Sequence, residues 1–460
     1  MELKYIIFFI ATLVTVPVGA LLAANHQKTR DFVFAALVIG TTQPGSIFGL
    51  PSDINFLSRE WYRGSTRGIE ISYLDLLAMI LLVGSLLARR REGNKMFWPP
   101  SLGFLIAYFG WCTLSVALLS DPKIFGLFEL TKILRGIILF VAVVAYIRGP
   151  REIIVFLWAL VAAIGYEAAI CLRDRYIYGI HRIRGTLEHA NSLSMYALQC
   201  VPIFIVSFFS REISPRLRNA CIVAFVAASG CIMLSISRTG FAALVLLTAC
   251  TVTLSTGFRF TTRNVSLAAL VILLGTLMTL KSWDSVVERL VTFDFQREYF
   301  TQEGDRGSYF RQAAPIMRDR PVFGTGLNNW SYWVSNKYAA EAGYLAEPYE
   351  STDFPPERRG QMSPAHNLYV LTAAELGWPG LLILLILFAR WIAITGSAIF
   401  IVQKDLMARL RIGAFLSLCG ILLQSWTEWE FRQTSMFFLG HIIMGVAAVL
   451  YYHGRANIRR

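Results

Sequence analysis

Apolar residues in this chain gather in long runs, near 5–24, 32–50, 71–88, 102–119, 133–147, 153–172, 190–209, 219–236, 240–257, 265–280, 367–389, 412–426 and 435–452. A bilayer core about 30 Å thick takes roughly 20 apolar residues per helical crossing. A helix also satisfies every backbone polar group inside its own segment, as lipid requires. The pattern predicts an all-α polytopic membrane protein with about 12–13 transmembrane helices. The N-terminal run is read as a membrane helix rather than a cleaved signal: it lacks a strong basic start, and a second apolar run follows closely. No Pro-rich linker or charge block divides the chain, so residues 1–460 read as one membrane domain. Residues 282–365 form one large hydrophilic loop.

Composition supports this picture. Of the 460 residues 55% are hydrophobic and 16% charged, where a soluble chain carries nearer 25% charged. Mean hydropathy is +0.53. The net charge of +13 is read as basic loops pinned to the cytoplasmic face. Nucleic acid is not an expected partner, because no basic stripe with interleaved aromatics occurs. The seven cysteines all fall in apolar runs and read as small packed residues.

Basic residues also orient the chain. One set of short loops carries nineteen: Lys28, Arg30, Arg89, Arg90, Arg91, Lys95, Arg148, Arg151, Arg211, Arg216, Arg218, Arg259, Arg263, Lys404, Arg409, Arg411, Arg455, Arg459 and Arg460. The opposite set carries twelve: Arg59, Arg63, Arg67, Lys123, Lys132, Arg135, Arg173, Arg175, Arg182, Arg184, Arg238 and Arg432. The richer set is expected inside, with the C-terminus, and the 282–365 loop outside. That loop holds nine basic and twelve acidic residues, so it is no basic arm. Within it Tyr309–Met317 reads as a short helix, ended by Pro321 and the glycines of Gly324-Thr325-Gly326.

The chain has no Gly-x-x-x-x-Gly-Lys-Ser/Thr phosphate loop, no Asp-x-Asp pair and no His/Cys cluster at zinc spacing. The expected chemistry therefore runs on energy stored in a substrate, without a cofactor. Several arginines sit at the outer helix ends, where topology does not ask for them: Arg182 and Arg184 in His181-Arg182-Ile183-Arg184-Gly185, Arg238 in Ser237-Arg238-Thr239-Gly240, and Arg306. Their guanidinium forks suit a lipid-linked phosphate or pyrophosphate, although each alone could snorkel to headgroups. His366, in Pro364-Ala365-His366-Asn367, lies where the large loop returns to an apolar run, and His suits proton transfer near neutral pH. Glu375 lies nine residues further, where a carboxylate needs a partner or a task. His189 and Asn191 open the seventh run. Trp426 and Trp429 read as aromatic-belt residues, and Glu428 and Glu430 beside them as possible substrate contacts.

Taken in order, Arg-x-Arg-Gly-Thr-x-x-His-x-Asn at 182–191, Ser-Arg-Thr-Gly at 237–240, Arg306 ahead of Pro321-x-x-Gly-x-Gly, and Pro-x-His-Asn with Glu-Leu-Gly at 364–377 resemble the O-antigen ligase and O-antigen polymerase superfamily of bacterial membrane glycosyltransferases. The resemblance spans roughly 180–450. It implies about twelve membrane helices with a large periplasmic loop, in the bacterial inner membrane. It also implies transfer of a glycan from an undecaprenyl pyrophosphate carrier to an acceptor hydroxyl, without nucleotide or metal. The acceptor would be a lipid A-core sugar in a ligase, or another lipid-linked repeat unit in a polymerase of O-antigen or exopolysaccharide. The 182–191 pattern resembles the polymerase branch. By the same resemblance Arg306 and either Arg182 or Arg184 would hold the pyrophosphate. His366 would act as base for the acceptor or orient the departing pyrophosphate. Arg238, His189, Asn191, Asn367 and Glu375 would complete the substrate site. Many members have His-Pro-Asn where this chain has His189-Ala190-Asn191, a change expected to affect helix entry more than chemistry. A transporter of polysaccharide or lipid carrier, and a structural envelope subunit, are the competing classes. Transporters place their polar groups at mid-membrane.

Overall fold

The structure, a computed structural model, describes residues 3–47, 50–51, 53–93, 98–118, 121–256, 262, 305–338, 341, 363–401 and 404–458. The chain is an all-α polytopic membrane protein. Its helices are α1 (Leu3–Asn25), α2 (Gln27–Gly40), α3 (Tyr73–Arg91), α4 (Leu102–Leu118), α5 (Lys123–Tyr146), α6 (Pro150–Tyr176), α7 (Ala190–Phe209), α8 (Pro215–Leu234) and α9 (Arg238–Thr256). Then follow α10 (Asp305–Asp319), α11 (Trp330–Trp333) running into a π turn, α12 (Leu368–Gly396), α13 (Leu406–Gln424) and α14 (Thr434–Ile458). Twelve of the thirteen apolar runs coincide with a helix. The tenth, 265–280, lies outside the described residues. Among the described residues eight helices are long and apolar enough to cross a membrane.

Local chemistry sets the helix ends. Asp75 accepts the Ser72 amide at 2.7 Å before α3, and Glu152 the Gly149 amide at 2.8 Å before α6. Asp405 accepts the Ala408 amide at 2.7 Å in the first turn of α13. Each satisfies a backbone donor that the helix start leaves without an intrahelical partner. The run expected over 32–50 stops short. Helix α2 ends at Gly40, and the Pro44-Gly45 pair that follows cannot continue it. The chain turns there into two small hairpins. One pairs β1 (Ser46–Ile47) with β2 (Leu50–Pro51). The other pairs β3 (Asp53–Phe56) with β4 (Ile69–Ser72), with Asn55 opposite Glu70. The helix expected at 309–317 is present and longer, as α10.

Helix α7 is the centre of the bundle, with nearly every residue buried. Among the described residues, the two sets of basic loops separate to opposite ends. At one end Arg151 pairs with Asp31, Arg148 with Glu92, and Arg409 donates to the Ser255 carbonyl. At the other end the 41–47, 53–72, 177–189, 235–237, 320–329 and 425–433 segments gather at the start of α12.

Helix α12 is broken at Gly377, which has φ of 70°. A side chain there would meet the Val322 carbonyl carbon and oxygen at 2.3 and 2.2 Å. The opened turn leaves the Ala374 and Glu375 carbonyls to accept the amides of Thr325 and Gly326, each at 2.9 Å. Two separated sequence elements, Pro321-x-x-Gly-x-Gly and Glu-Leu-Gly, thus form one joint. Gly324 and Gly326, both with positive φ, allow the turn to lie against the helix backbone.

Candidate active site

The site is built from three loops at one end of the bundle. The 182–191 loop rests on the α8–α9 turn, where the Ile183 amide bonds the Leu234 carbonyl at 3.2 Å. Its Gly185-Thr186 pair is clasped by Glu167 of α6. Glu167 accepts the Thr186 amide at 3.1 Å and also its hydroxyl, and that hydroxyl reaches the Thr42 carbonyl at 2.9 Å. A side chain at Gly185 would meet Glu167 at 2.2 Å, so glycine is required for the clasp. Arg184 and His189 flank this anchor, both exposed.

His366 stands just before α12, and Asn367 caps that helix. The Asn367 side-chain oxygen accepts the amides of Tyr369 and Val370 at 3.0 Å, and its nitrogen donates to the Trp426 carbonyl at 2.9 Å. The Leu368 amide reaches the Ser425 carbonyl at 2.9 Å. The loop after α13 is therefore locked to the start of α12, which brings Glu428 to His366.

A bonded chain crosses the site. Arg182 donates to the Asn191 side-chain oxygen at 2.8 Å, and Asn191 donates to Glu428 Oε1 at 2.6 Å. Glu428 Oε2 lies 2.8 Å from His366 Nδ1. Glu428 is buried, while His366 is 37% exposed. A carboxylate at Nδ1 favours the tautomer with its proton on that nitrogen and leaves Nε2 as the acceptor. Tyr309 of α10 stacks on the imidazole, with centroids 5.8 Å apart.

His366, Arg184 and His189 line one cavity of about 1150 Å³. Arg182 and Asn191 do not line it; they are joined to His366 through Glu428. Arg238 is half-buried at the first residue of α9, next to the turn on which Arg182 rests. Arg306 lies in the first turn of α10, one turn before Tyr309; its side chain lies outside the described residues. Glu375 does not line the cavity. It is buried, with Oε2 at 2.9 Å from Arg432 Nη2 and Oε1 accepting the Trp330 amide at 3.2 Å. Arg432 also faces Glu129 at 3.6 Å, and Glu129 pairs with Lys132 at 2.8 Å. Two acids and two bases thus neutralise one another below the site. Glu430, buried beside Gln199 of α7, is pushed up to about 8 by burial, with the Gln199 hydrogen bond opposing and Glu428 adding to the rise.

Residues 223–385 match the family model described as O-Antigen ligase. The match covers about a third of the chain, and that stretch is similar to the O-antigen ligase family. No curated protein matches the chain. The matched O-antigen ligase region runs from α8 into α12 and includes Arg238, Arg306, His366, Asn367 and Glu375. The 182–191 loop and Glu428 lie outside it and join the site through the contacts above. The family is one of glycosyltransferase-like enzymes.

Sequence reading did not single out two parts of the site. One is Glu167, whose carboxylate in an apolar run was itself a signal. The other is the 53–70 segment, which forms a whole wall of the cavity. Its Arg63 and Arg67 had entered only as topology charges.

Proposed function

We propose that this chain transfers a glycan from an undecaprenyl pyrophosphate carrier to an acceptor hydroxyl at the periplasmic face of the bacterial inner membrane. The product belongs to O-antigen or exopolysaccharide polymerisation or ligation. One observation carries this reading: His366, oriented by Glu428, shares a cavity with Arg184 at the end of the bundle that carries the fewer basic loop residues. A transporter would be expected to hold its polar groups at mid-membrane. Here the polar candidates gather at one end.

In the transfer, the acceptor oxygen attacks the anomeric carbon while its proton passes to His366 Nε2. The bond from that carbon to the pyrophosphate oxygen breaks, and its electron pair leaves with undecaprenyl pyrophosphate. Arg184, with Arg306 from α10, holds the developing charge. Fixed donors in a partly dry site stabilise such charge better than water does. Glu428 holds the imidazole in the required tautomer and stabilises the imidazolium. The pyrophosphate linkage provides the driving force.

The test is the state of the carrier in cells lacking the protein. Finished repeat units should accumulate on undecaprenyl pyrophosphate, and a plasmid copy should clear them. A carrier pool unchanged by the deletion would overturn the proposal.

A further inference from the structure

The wall formed by residues 53–70 has a chemistry that pyrophosphate binding does not call for. It brings Asp53, Glu60 and Glu70 into the same cavity as Arg63 and Arg67. A site for an anion alone would exclude carboxylates, which repel phosphate oxygens. A ligand that needs acceptors and donors side by side is a polyol, because each sugar hydroxyl both donates and accepts. Trp429 adds an apolar ring face to the same cavity, suited to the C–H face of a sugar. The volume of about 1150 Å³ exceeds the roughly 300–1,000 Å³ typical of a small-molecule pocket, leaving room for several sugar units.

This wall is held in place rather than draped over the site. Asn328 bonds it three times: its side-chain nitrogen donates to the Thr66 carbonyl at 3.0 Å and the Thr66 hydroxyl at 3.1 Å, and its oxygen accepts the Ser65 amide at 2.7 Å, while the same nitrogen also reaches the Phe125 carbonyl of α5 at 2.9 Å. Tyr62 is fully buried, stacked on Phe125 at 3.7 Å, and its hydroxyl donates to the Asn328 carbonyl. A side chain at Gly64 would strike the Tyr62 ring at 2.2 Å. The Arg59 amide closes the loop on the Arg67 carbonyl at 2.7 Å. Polar groups displayed on so fixed a backbone are preorganised for a ligand.

We infer that the 53–70 segment is the acceptor platform, which binds the sugar hydroxyls of the incoming glycan. The inference rests on the glycan-transfer reading above. In a displacement at the anomeric carbon the nucleophile and the leaving group occupy opposite sides. The acceptor therefore needs a wall other than the one that holds pyrophosphate. Outside the 182–189 loop and the surroundings of His366, the lining residues come from 53–70, Trp429 and Thr434. Glu60 and Arg67 are its most exposed charged members. Neither side chain has a hydrogen-bond or ion-pair partner among the described residues, so both are free to meet a ligand.

The experiment uses the full chain in lipid nanodiscs and two probes. One is undecaprenyl pyrophosphate without sugar; the other is the producing strain's repeat-unit oligosaccharide, released from its carrier by mild acid. Binding of each is measured for wild type and for the double variant Glu60→Gln/Arg67→Ala. The oligosaccharide should bind wild type and weaken about tenfold or more in the variant, each lost charged contact accounting for part of that factor. Carrier binding should be unchanged, which also shows that the variant is folded. Equal oligosaccharide affinity in the two proteins, or no oligosaccharide binding to wild type, would overturn the platform. Wild type that binds oligosaccharide but not the carrier would instead count against the transfer reading and leave the platform standing.

Discussion

Glu428 Oε2 lies 2.8 Å from His366 Nδ1, and the same carboxylate accepts from the Asn191 side-chain nitrogen at 2.6 Å through its other oxygen. Both oxygens are thus committed, one to each side of the site. Replacing Glu428 by Gln keeps the shape but puts an amide where a charge was. The imidazole then loses its tautomer bias and the countercharge for its imidazolium. Glu428→Gln should lower the transfer rate about 10²- to 10⁴-fold, with little change in carrier affinity. Steady-state kinetics on purified protein check this. A variant whose only defect is a higher KM for the donor would place Glu428 on the substrate instead.

Arg184 and Arg182 differ in their surroundings, and so should their variants. Arg184 lines the cavity with His366, whereas Arg182 does not line it and is bonded to Asn191. Arg184→Ala should cost about 2–4 kcal/mol of barrier, roughly 30- to 1000-fold in rate. Arg184→Lys should recover only part, since an ammonium cannot form the bidentate fork. Arg306→Ala should act like Arg184→Ala. Arg182→Ala should instead resemble Glu428→Gln, with carrier affinity kept. Donor titrations at fixed acceptor separate the two patterns, and identical donor-binding defects in both arginine variants would refute the distinction.

The acid form of Glu430 is favoured in the fold, because burial pushes its titration up to about 8. In an unfolded chain the group loses its proton near its ordinary value of 4.5. Its contribution to stability is therefore fully present below that value, and is lost as pH rises through 8. Glu430→Gln keeps an oxygen for Gln199 and removes the titration. Relative to wild type, the variant should gain about 2–4 kcal/mol between pH 5 and pH 8.5. Thermal melts of detergent-solubilised protein at the two pH values test this. A difference between the two proteins that does not change with pH would contradict it.

The Glu375–Arg432–Glu129–Lys132 cluster should behave as a unit. Arg432→Met leaves two buried carboxylates facing one ammonium, at a cost of about 3–5 kcal/mol. Adding Glu375→Leu to it restores neutrality, so the double variant should melt above Arg432→Met. Strict additivity of the two single losses would show that the groups do not interact.

Much of the fold was legible because lipid imposes a length and a composition on each crossing. The 182–191 and 364–377 segments drew notice for a related reason: arginines and a histidine at helix ends are costly without a task. What sequence could not show was pairing across loops. Glu428 and His366 are 62 residues apart, and no local pattern links them. Glu375 looked like a site residue because its buried charge demanded a partner; that partner, Arg432, lies 57 residues away. The 53–70 wall fell between the apolar runs 32–50 and 71–88, where its arginines read only as topology charges. Its shape depends on Asn328, 262 residues beyond Thr66.

His366 is the group on which the transfer account depends most. The direct measurement follows glycan release from an undecaprenyl pyrophosphate donor by purified wild type, His366→Ala, His366→Arg and His366→Lys. A base role predicts that all three variants lose about 10²- to 10⁴-fold in turnover. The carrier should still bind His366→Ala with near-normal affinity, because binding rests on the arginines. Substantial activity in His366→Arg or His366→Lys, with weakened donor affinity in His366→Ala, would mean that the residue only holds pyrophosphate. Full activity in His366→Ala would contradict the account altogether.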